Sequence, residues 1–467
     1  MTIVQKIKRK RKRIKRTFSI IKKSNLDVFN KIFRILSWLL PGLVLKRWIV
    51  TSAIGLITSL LGIAIWTNLR PLYWLIETFF WLMTGLTSIF PVSILGPFIL
   101  FIGLLLICLG QNRSINSIQK ALVPQKETLL VDALRVNSKL SRGPNIVAIG
   151  GGTGLSTLLK GLKNYSSNIS AIVTVTDDGG SSGILRKQLG VQPPGDIRNC
   201  LAALSNEEPT LTRLFQYRFS GGGGLEGHSF GNLFLSALTT ITGSLEKAVQ
   251  ASSQVLSVQG QVIPATGIDV MLWAELEDGE KIFGESLIGK SVKPISRIGC
   301  LPENPPALKN AIEAIKEADL IVLGPGSLYT SLLPNLLVPE IVEELLKNNS
   351  PKIYISNLMT QPGETDGLDV YQHIKSIEKQ LFNFGVNTRI FNAILSQGEF
   401  EGSSLIDYYR SRGAEPVKCN KKRLVSEGYH VLQAPLYSKR ITPTLRHDYR
   451  RLARAVMYLY KKIKKAN

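Results

Sequence analysis

The stretch Thr174-Val-Thr-Asp-Asp-Gly-Gly-Ser-Ser-Gly183 ends an apolar run with two acids, three glycines and two serines. The apolar run, residues 169–175, predicts a buried β-strand, and the polar turn follows it directly. Glycine readily adopts a positive φ, so Gly179, Gly180 and Gly183 allow the backbone to fold closely around a ligand. The stretch therefore predicts backbone amides, hydroxyls and two carboxylates at one edge of a sheet.

The same order of strand, polar turn and helix recurs through residues 144–467 and predicts the fold. Similar turns lie at residues 150–154, 195–199, 228–232, 324–331 and 357–365. The alternation predicts an α/β fold, with a Rossmann-like, mostly parallel sheet covered by helices on both faces. Residues 255–285 alternate apolar and polar positions and predict a small antiparallel insert. Ligands of such sheets bind beyond the carboxyl ends of the strands, where the polar turns fall.

Charge is concentrated at the two ends of the chain. Residues 1–47 carry a net charge of +14 and residues 418–467 a net charge of +12, so the rest of the chain carries −3 of the total of +23. A near-neutral body argues against a nucleic-acid partner. The basic N-terminus predicts contact with anionic lipid, and residues 446–465 predict a basic helix with a solvated or lipid-facing surface.

Two apolar runs, residues 49–66 and 92–109, predict two transmembrane helices, because each reaches the lower limit of about 18 residues. Residues 72–90, rich in aromatic side chains, predict an interfacial helix between them. The basic residues at 6–16 then predict a membrane protein with both termini and the globular domain in the cytoplasm. The predicted divisions are a basic segment (1–47), a membrane module (48–112), a linker (113–143) and a nucleotide-binding domain (144–467).

Cysteines and nucleophile patterns exclude several kinds of site. Cys108, Cys200, Cys300 and Cys419 are far apart and lack CxxC spacing, which indicates a reducing compartment and no structural zinc. No Ser-His-Asp or paired-cysteine pattern stands out in the sequence.

The first glycine-rich turn is a candidate phosphate site. Gly151, Gly152, Thr153 and Gly154 follow a predicted strand and open a predicted helix, whose N-terminus attracts phosphate. The pattern matches neither the GxGxxG fingerprint nor a P-loop, and a tight structural turn is the alternative.

The second turn offers two acids with different possible uses. Asp177 or Asp178 could bond ribose hydroxyls, or the pair could hold Mg²⁺ through one or two carboxylates. The alternative is an Asx turn in which the following serines cap a helix. The candidate ligand residues here are Asp177, Asp178, Gly179, Gly180, Ser181 and Ser182.

The remaining turns add candidates of several chemical types. Arg198 could bind a phosphate in a bidentate manner or pair internally with Asp196. His228 and Asn232 share a helical face, as ligand contacts or as structural residues, and no second His or Cys supports a metal site there. Hydroxyls and amides in the later turns suit a phosphate, sugar or base. The alternative is that these groups only form hydrogen bonds within their own loops. The full set of further candidates is Asp196, Arg198, Asn199, His228, Asn232, Gly326, Ser327, Thr330, Asn357 and Gln361.

Six ordered motifs resemble one family, that of the gluconeogenesis factor (YvcK) and 2-phospho-L-lactate transferase (CofD), over residues 144–467. The motifs are GGGTG (150–154), DDGGSSG (177–183), PGDIRN (194–199), HSFGNL (228–233), GPGSLYTSLLPNL (324–336) and SNLMTQPGETDG (356–367). The resemblance implies a Rossmann-like body with a nucleotide-type ligand at the strand ends. Residues 1–112 are not part of the family's shared body, so the chain resembles a membrane-anchored variant.

The resemblance implies one of two functions. One branch of the family is a regulator that binds sugar nucleotides of the UDP-N-acetylglucosamine type and affects carbon metabolism, cell shape and cell-wall synthesis. The other is a Mg²⁺-dependent transferase that moves a phospholactyl group onto a deazaflavin alcohol. By similarity, residues 151–154, Asp177, Asp178 and Asn199 would contact the nucleotide and its phosphates. His228, Asn232, Ser327 and Thr330 would line the same pocket.

We expect a membrane-tethered, cytoplasm-facing regulator that binds a nucleotide sugar without breaking a bond. The alternative is the transferase, in which Asp177 or Asp178 holds Mg²⁺ and Arg198 offsets phosphate charge. The pocket motifs do not separate a binding protein from an enzyme, because both need similar groups. The sequence leaves homo-oligomer formation open.

Overall fold

The computed structural model describes residues 44–67, 70–89, 91–122, 137–206, 209–291, 293–400, 404–437 and 444–466. The chain divides into two compact units, residues 1–138 and residues 139–467. The predicted basic cluster at 6–16 and its lipid contact lie outside the described residues.

The first unit contains three described helices, α1 (Val44–Trp66), α2 (Arg70–Ile89) and α3 (Val92–Leu122). No helix in the described part of the chain is long and apolar enough to cross a membrane. The prediction of two transmembrane helices, and of a two-span membrane location with it, is therefore wrong. Each predicted span was only about 18 residues long, which is near the shortest apolar stretch that can cross a bilayer.

The second unit is built around ten strands in the described residues. They are β1 (Ile146–Gly150), β2 (Ile169–Val173), β3 (Gln261–Pro264), β4 (Met271–Leu276), β5 (Lys281–Phe283), β6 (Ile295–Leu301), β7 (Leu320–Leu323), β8 (Lys352–Ile355), β9 (Ala393–Gln397) and β10 (His430–Ala434). Seven of them form one sheet in the order β10-β9-β8-β7-β1-β2-β3. All six pairings in this sheet are parallel, as predicted.

Helices follow most of these strands. They are α4 (Gly152–Leu162), α5 (Gly180–Leu189), α6 (Gly195–Leu204), α7 (Pro209–Gln216), α8 (Phe230–Thr242), α9 (Leu245–Val255), α10 (Glu285–Ile288), α11 (Lys309–Lys316), α12 (Pro339–Lys347), α13 (Val370–Phe382), α14 (Ser404–Arg410), α15 (Lys421–Ser426) and α16 (Tyr449–Ala466). A π-helical turn, Leu328–Leu332, follows β7 and leads into a 3₁₀ turn, Leu333–Leu337. The predicted basic C-terminal helix is α16, which begins three residues later than expected.

The predicted antiparallel insert exists, but its limits differ from the prediction. Strands β4, β5 and β6 form an antiparallel sheet in the order β5-β4-β6. Residues 261–264, which were assigned to the insert, pair with β2 in the parallel sheet instead. Val262 and Ile263 are consecutive and both buried, as a strand covered on both faces requires. The insert thus begins after β3 and extends to β6.

Two apolar cores cover the two faces of the large sheet. Ile146 and Ala148 of β1 belong to one core, and Val147 and Ile149 belong to the other. Successive side chains of a strand point to opposite faces, so a strand buried on both faces must be apolar throughout. This explains why the central strands read as unbroken apolar runs.

The order of the strands determines where a ligand cleft forms. Strand β1 lies between β2, which follows it in sequence, and β7, which comes much later. The sheet therefore grows in opposite directions from β1, and the point between β1 and β7 is a topological switch point. Ligands of open α/β sheets bind in the crevice beyond the carboxyl ends of the strands at such a point.

Candidate functional site

Two glycine-rich turns meet at the switch point, one after β1 and one after β7. Helix α4 begins at Gly152, where φ is +65°, directly after the first turn. A Cβ atom added to Gly154 would lie 2.2 Å from the carbonyl oxygen of Pro325 in the second turn. Only glycine permits this approach, so the sequence motif brings the N-terminus of α4 to the crevice.

A cavity of about 400 Å³ opens beyond β1, β7 and β8, and we call it the switch-point cavity. Its lining includes six residues that the sequence predicted, namely Thr153, Gly154, Gly326, Ser327, Asn357 and Gln361. The Gln361 side chain donates to Ser327 Oγ at 2.7 Å and accepts from Asn357 Nδ2 at 3.3 Å. These bonds hold amide and hydroxyl groups in place on one wall.

A further part of the lining comes from the C-terminal part of the chain, which the sequence analysis did not assign to the site. It contributes Tyr409, Arg412, Leu445, Arg446 and His447. The cavity's lining residues, all within the described chain, include two arginines and no acid. Burial lowers the pKa of His447 to about 4, so this imidazole is neutral at pH 7. The cavity therefore favours an anionic ligand group.

Four carboxylates that interact electrostatically cluster beside the first turn, and we call this cluster the acidic pocket. Its members are Asp177 after β2, Asp196 in the first turn of α6, Glu285 in α10 and Glu364 in the loop after β8. A Cβ atom added to Gly151 would lie 2.5 Å from Asp196 Oδ2, so the first turn also borders this pocket.

Burial and mutual repulsion raise the pKa values in the acidic pocket. The pKa of Asp196 rises to about 6, chiefly through burial and then through the charge of Asp177. The pKa of Glu285 rises to about 9, chiefly through burial and then through Asp177 and Asp196. Burial raises the pKa of Glu364 to about 7, although a hydrogen bond from the Thr330 hydroxyl opposes the shift.

The adjacent acids Asp177 and Asp178 have different partners. Asp177 Oδ1 accepts from the backbone N–H of Gly179 at 2.9 Å, an Asx turn. Asp178 Oδ1 accepts from the backbone N–H of Ser286 at 2.8 Å, in the insert. The electrostatic partner of Asp177 is Asp196, whose pKa it raises.

Magnesium fits this pocket only in a restricted way. Among the described residues, no group of three or more His, Cys, Asp and Glu side chains is arranged to hold a metal ion. Mg²⁺ is often held by one or two carboxylates together with the phosphates of a ligand. Asp177, Asp178 and Asp196 each accept a backbone hydrogen bond, from Gly179, Ser286 and Gly152 respectively, so these bonds do not separate the predicted pair from Asp177 and Asp196.

Ser181, His228 and Asn232 form a buried network behind the pocket. His228 Nδ1 lies 3.0 Å from Ser181 Oγ, and Asn232 Nδ2 donates to the same oxygen at 3.1 Å. Ser182 lies at the edge of this network, 3.5 Å from Asn232 Nδ2. The network ties α8 to the first turn of α5, so these predicted ligand residues support the turn that carries Asp177.

Arg198 is also tied to its neighbours. Its guanidinium donates to Ser229 Oγ and, at 2.9 Å, to Asn199 Oδ1. Burial lowers the pKa of Arg198, and the charges of Asp196 and Asp177 oppose that shift. The predicted pairing of Arg198 with Asp196 is thus an electrostatic interaction behind the pocket.

The site residues that sequence reasoning missed are Glu285, Glu364, Tyr409, Arg412, Arg446 and His447. Glu364 lies inside the motif at 356–367 and could have been selected as the acid of that motif. Arg446 and His447 lie in a basic C-terminal segment that the sequence analysis assigned to a solvated or lipid-facing surface. Glu285 ends the predicted insert, where no local pattern indicates a ligand.

A family model for "2-phospho-L-lactate transferase CofD" matches residues 146–437. A Nostoc sp. protein, provisionally named a gluconeogenesis factor, is 50% identical over 91% of this chain and 92% of its own length. The gluconeogenesis factor of Bacillus subtilis is 45% identical over 69% of this chain and 100% of its own length. Among solved structures, a UPF0052 family member from Bacillus halodurans has a TM-score of 0.64 at 44% identity and covers 68% of this chain and 99% of its own.

Proposed function

The chain belongs to the 2-phospho-L-lactate transferase CofD family, and we propose that it binds a nucleotide sugar of the UDP-N-acetylglucosamine type. In this proposal the protein acts as a regulator linked to carbon metabolism, cell shape and cell-wall synthesis. The observation that carries the proposal is that a cavity lined by two arginines and a cluster of acids both lie at one glycine-rich turn. The names of its relatives, gluconeogenesis factors, favour a regulatory role.

The spacing of the cavity and the acidic pocket suits a ligand with three parts. Gly151 borders the acidic pocket and Gly154 lines the switch-point cavity. Because α4 begins at Gly152 and a helix rises about 1.5 Å per residue, Gly151 and Gly154 lie roughly 5 Å apart, which is the scale of a diphosphate. A nucleotide in the cavity, a diphosphate at the turn and a sugar towards the pocket would fill this arrangement.

The diphosphate has suitable donors in the proposed position. The N-terminus of α4 supplies a partial positive charge and backbone N–H groups, of which that of Gly152 donates to Asp196. Arg412 and Arg446 add guanidinium groups that bind phosphate oxygens in a bidentate manner. Both arginines come from the C-terminal part of the chain. In this proposal they add positive charge to a site whose other lining residues come from the sequence motifs.

A transferase is the second candidate, and the neighbouring carboxylates of Asp177 and Asp196 favour it. When bound there with ligand phosphates, Mg²⁺ would neutralise phosphate charge. Arg198 would then offset further charge from behind the pocket. The two candidates differ in whether the bound ligand stays intact.

The test is a calorimetric titration of the full chain with UDP-N-acetylglucosamine. We expect Arg412→Ala and Arg446→Ala each to weaken binding about 10-fold or more, the usual effect of losing a hydrogen bond to a charged group. Arg410→Ala is the matched control, because Arg410 is exposed and lies 3.5 Å from Asp407 outside the cavity. Intact ligand in mass spectrometry supports the regulator, and Mg²⁺-dependent turnover supports the transferase. No binding by the wild type contradicts the proposal.

A further inference from the structure

Helix α10 carries a carboxylate from the antiparallel insert to the ligand site. Strand β5 ends at Phe283, and α10 begins two residues later at Glu285. Glu285 is partly buried, whereas its neighbours Phe283 and Ser286 are exposed. The insert therefore turns this one side chain towards the carboxyl ends of the large sheet.

Asp178 fixes the position of this helix. Its Oδ1 atom accepts from the Ser286 backbone N–H at 2.8 Å, a bond between residues 108 apart in sequence. Gly284 has φ of +97°, and a Cβ atom at this position would lie 2.3 Å from Asp178 Oδ2. The Asp178 carboxylate thus packs directly against the backbone that precedes Glu285.

The surroundings of Glu285 are rich in hydrogen-bond acceptors and poor in donors. The charges of Asp177, Asp196, Asp178 and Glu364 all act on Glu285. Glu364 is 7% exposed, and within the described residues its Oε2 atom has no hydrogen-bond partner. Buried polar atoms are normally paired, so the unpartnered oxygen is an independent indication of a ligand that supplies donors. Hydroxyl groups supply donors, whereas phosphate oxygens would be repelled.

We propose that Glu285 is a specificity-determining residue that accepts hydrogen bonds from the sugar of the bound ligand, and that Asp178 is its positioning residue. This inference rests on the proposed function and assigns the two ends of the ligand. The sugar lies at the acidic pocket, and the nucleotide lies in the acid-free switch-point cavity. The antiparallel insert is then the element that distinguishes a nucleotide sugar from a plain nucleotide.

The experiment compares UDP with UDP-N-acetylglucosamine in titrations of the full chain. We expect Glu285→Ala to weaken binding of the nucleotide sugar about 2- to 10-fold, the range for a hydrogen bond to an uncharged carboxyl group, and to leave the affinity for UDP unchanged. Asp178→Ala gives the same selective loss. Asp178→Asn restores binding, because its side-chain oxygen still accepts from the Ser286 N–H. Glu280→Ala is the control, since Glu280 is exposed on the same insert and pairs with Lys293.

Each other outcome has a defined meaning. An equal loss of UDP and UDP-N-acetylglucosamine affinity in Glu285→Ala overturns the assignment of the sugar end. A selective loss that vanishes when EDTA removes divalent cations also overturns it, in favour of a metal-mediated contact. If wild-type protein binds both ligands and Glu285→Ala changes neither, only this inference fails. If wild-type protein binds neither ligand, the proposed function fails and this inference fails with it.

Discussion

The switch-point cavity and the acidic pocket share one glycine-rich turn but differ in charge. The cavity is lined by Arg412, Arg446 and neutral His447, without an acid among its described lining residues. The pocket gathers four carboxylates, and its Glu285 has a pKa raised to about 9. The same turn therefore borders two regions of different charge. The side chains that distant segments contribute determine the charge of each region.

The two regions also draw on different parts of the fold. The distinctive cavity wall comes from residues 409–414 and 445–447, near the C-terminus. The pocket is built by the ends of β2 and α6, the antiparallel insert and the loop after β8. Substitutions should therefore affect one region without the other, and the following changes test this separation.

The largest effect is expected from Gly154→Ala, because the new Cβ atom would clash with the Pro325 carbonyl. Overpacking of this kind destabilises by about 2–3 kcal/mol, and here it also forces apart the two turns of the cavity. We expect a lower midpoint in chemical denaturation and a loss of UDP binding. Gly224→Ala is the control, since open space surrounds Gly224. Unchanged stability in Gly154→Ala would show that the turns do not meet as described.

A smaller effect, with a defined pH dependence, is expected from Glu285→Gln. Folding raises the pKa of Glu285 from 4.5 to about 9, so the folded protein holds a proton that the unfolded chain releases between these values. Stability therefore falls as pH rises through this window, and glutamine removes that loss. We expect Glu285→Gln to raise the free energy of unfolding on the order of 2 kcal/mol at pH 8 and hardly at all at pH 4.5. A gain that is the same at both pH values would contradict the burial of this acid among other acids.

The cavity should titrate in the opposite direction, and His447→Gln tests this. Folding lowers the pKa of His447 from 6.5 to about 4, so the unfolded chain takes up a proton first as the solution is acidified. Its contribution to stability is lost as pH falls from 6.5 towards 4. We expect the wild type to lose about 1 kcal/mol more than His447→Gln between pH 7 and pH 4.5 in urea titrations. Parallel pH profiles for the two proteins would refute the burial of this imidazole.

Local patterns predicted the parts of the site that lie within single turns. The motifs at 150–154, 324–331 and 357–365 do meet at one crevice, because parallel strands place their carboxyl ends at the same sheet edge. The strand at 261–264 was misplaced, because a short strand buried on both faces resembles part of an alternating insert. The two transmembrane helices were a wrong prediction from apolar runs at the lower limit of length. The ligand and its contacts stay predictions.

The order of strand, glycine-rich turn and helix, the parallel sheet and the membership of the family were determined by the sequence alone, because backbone geometry and apolar periodicity are local properties. Only the tertiary structure gave the adjacent acids different partners, since Asp177 accepts from Gly179 and Asp178 bonds to the insert 108 residues later. It also placed Arg446 in the lining of the switch-point cavity and Glu285 among the acids of the acidic pocket. The physical reason is that charge and burial at a site depend on which distant segments the sheet order brings together, and no local spacing encodes that convergence.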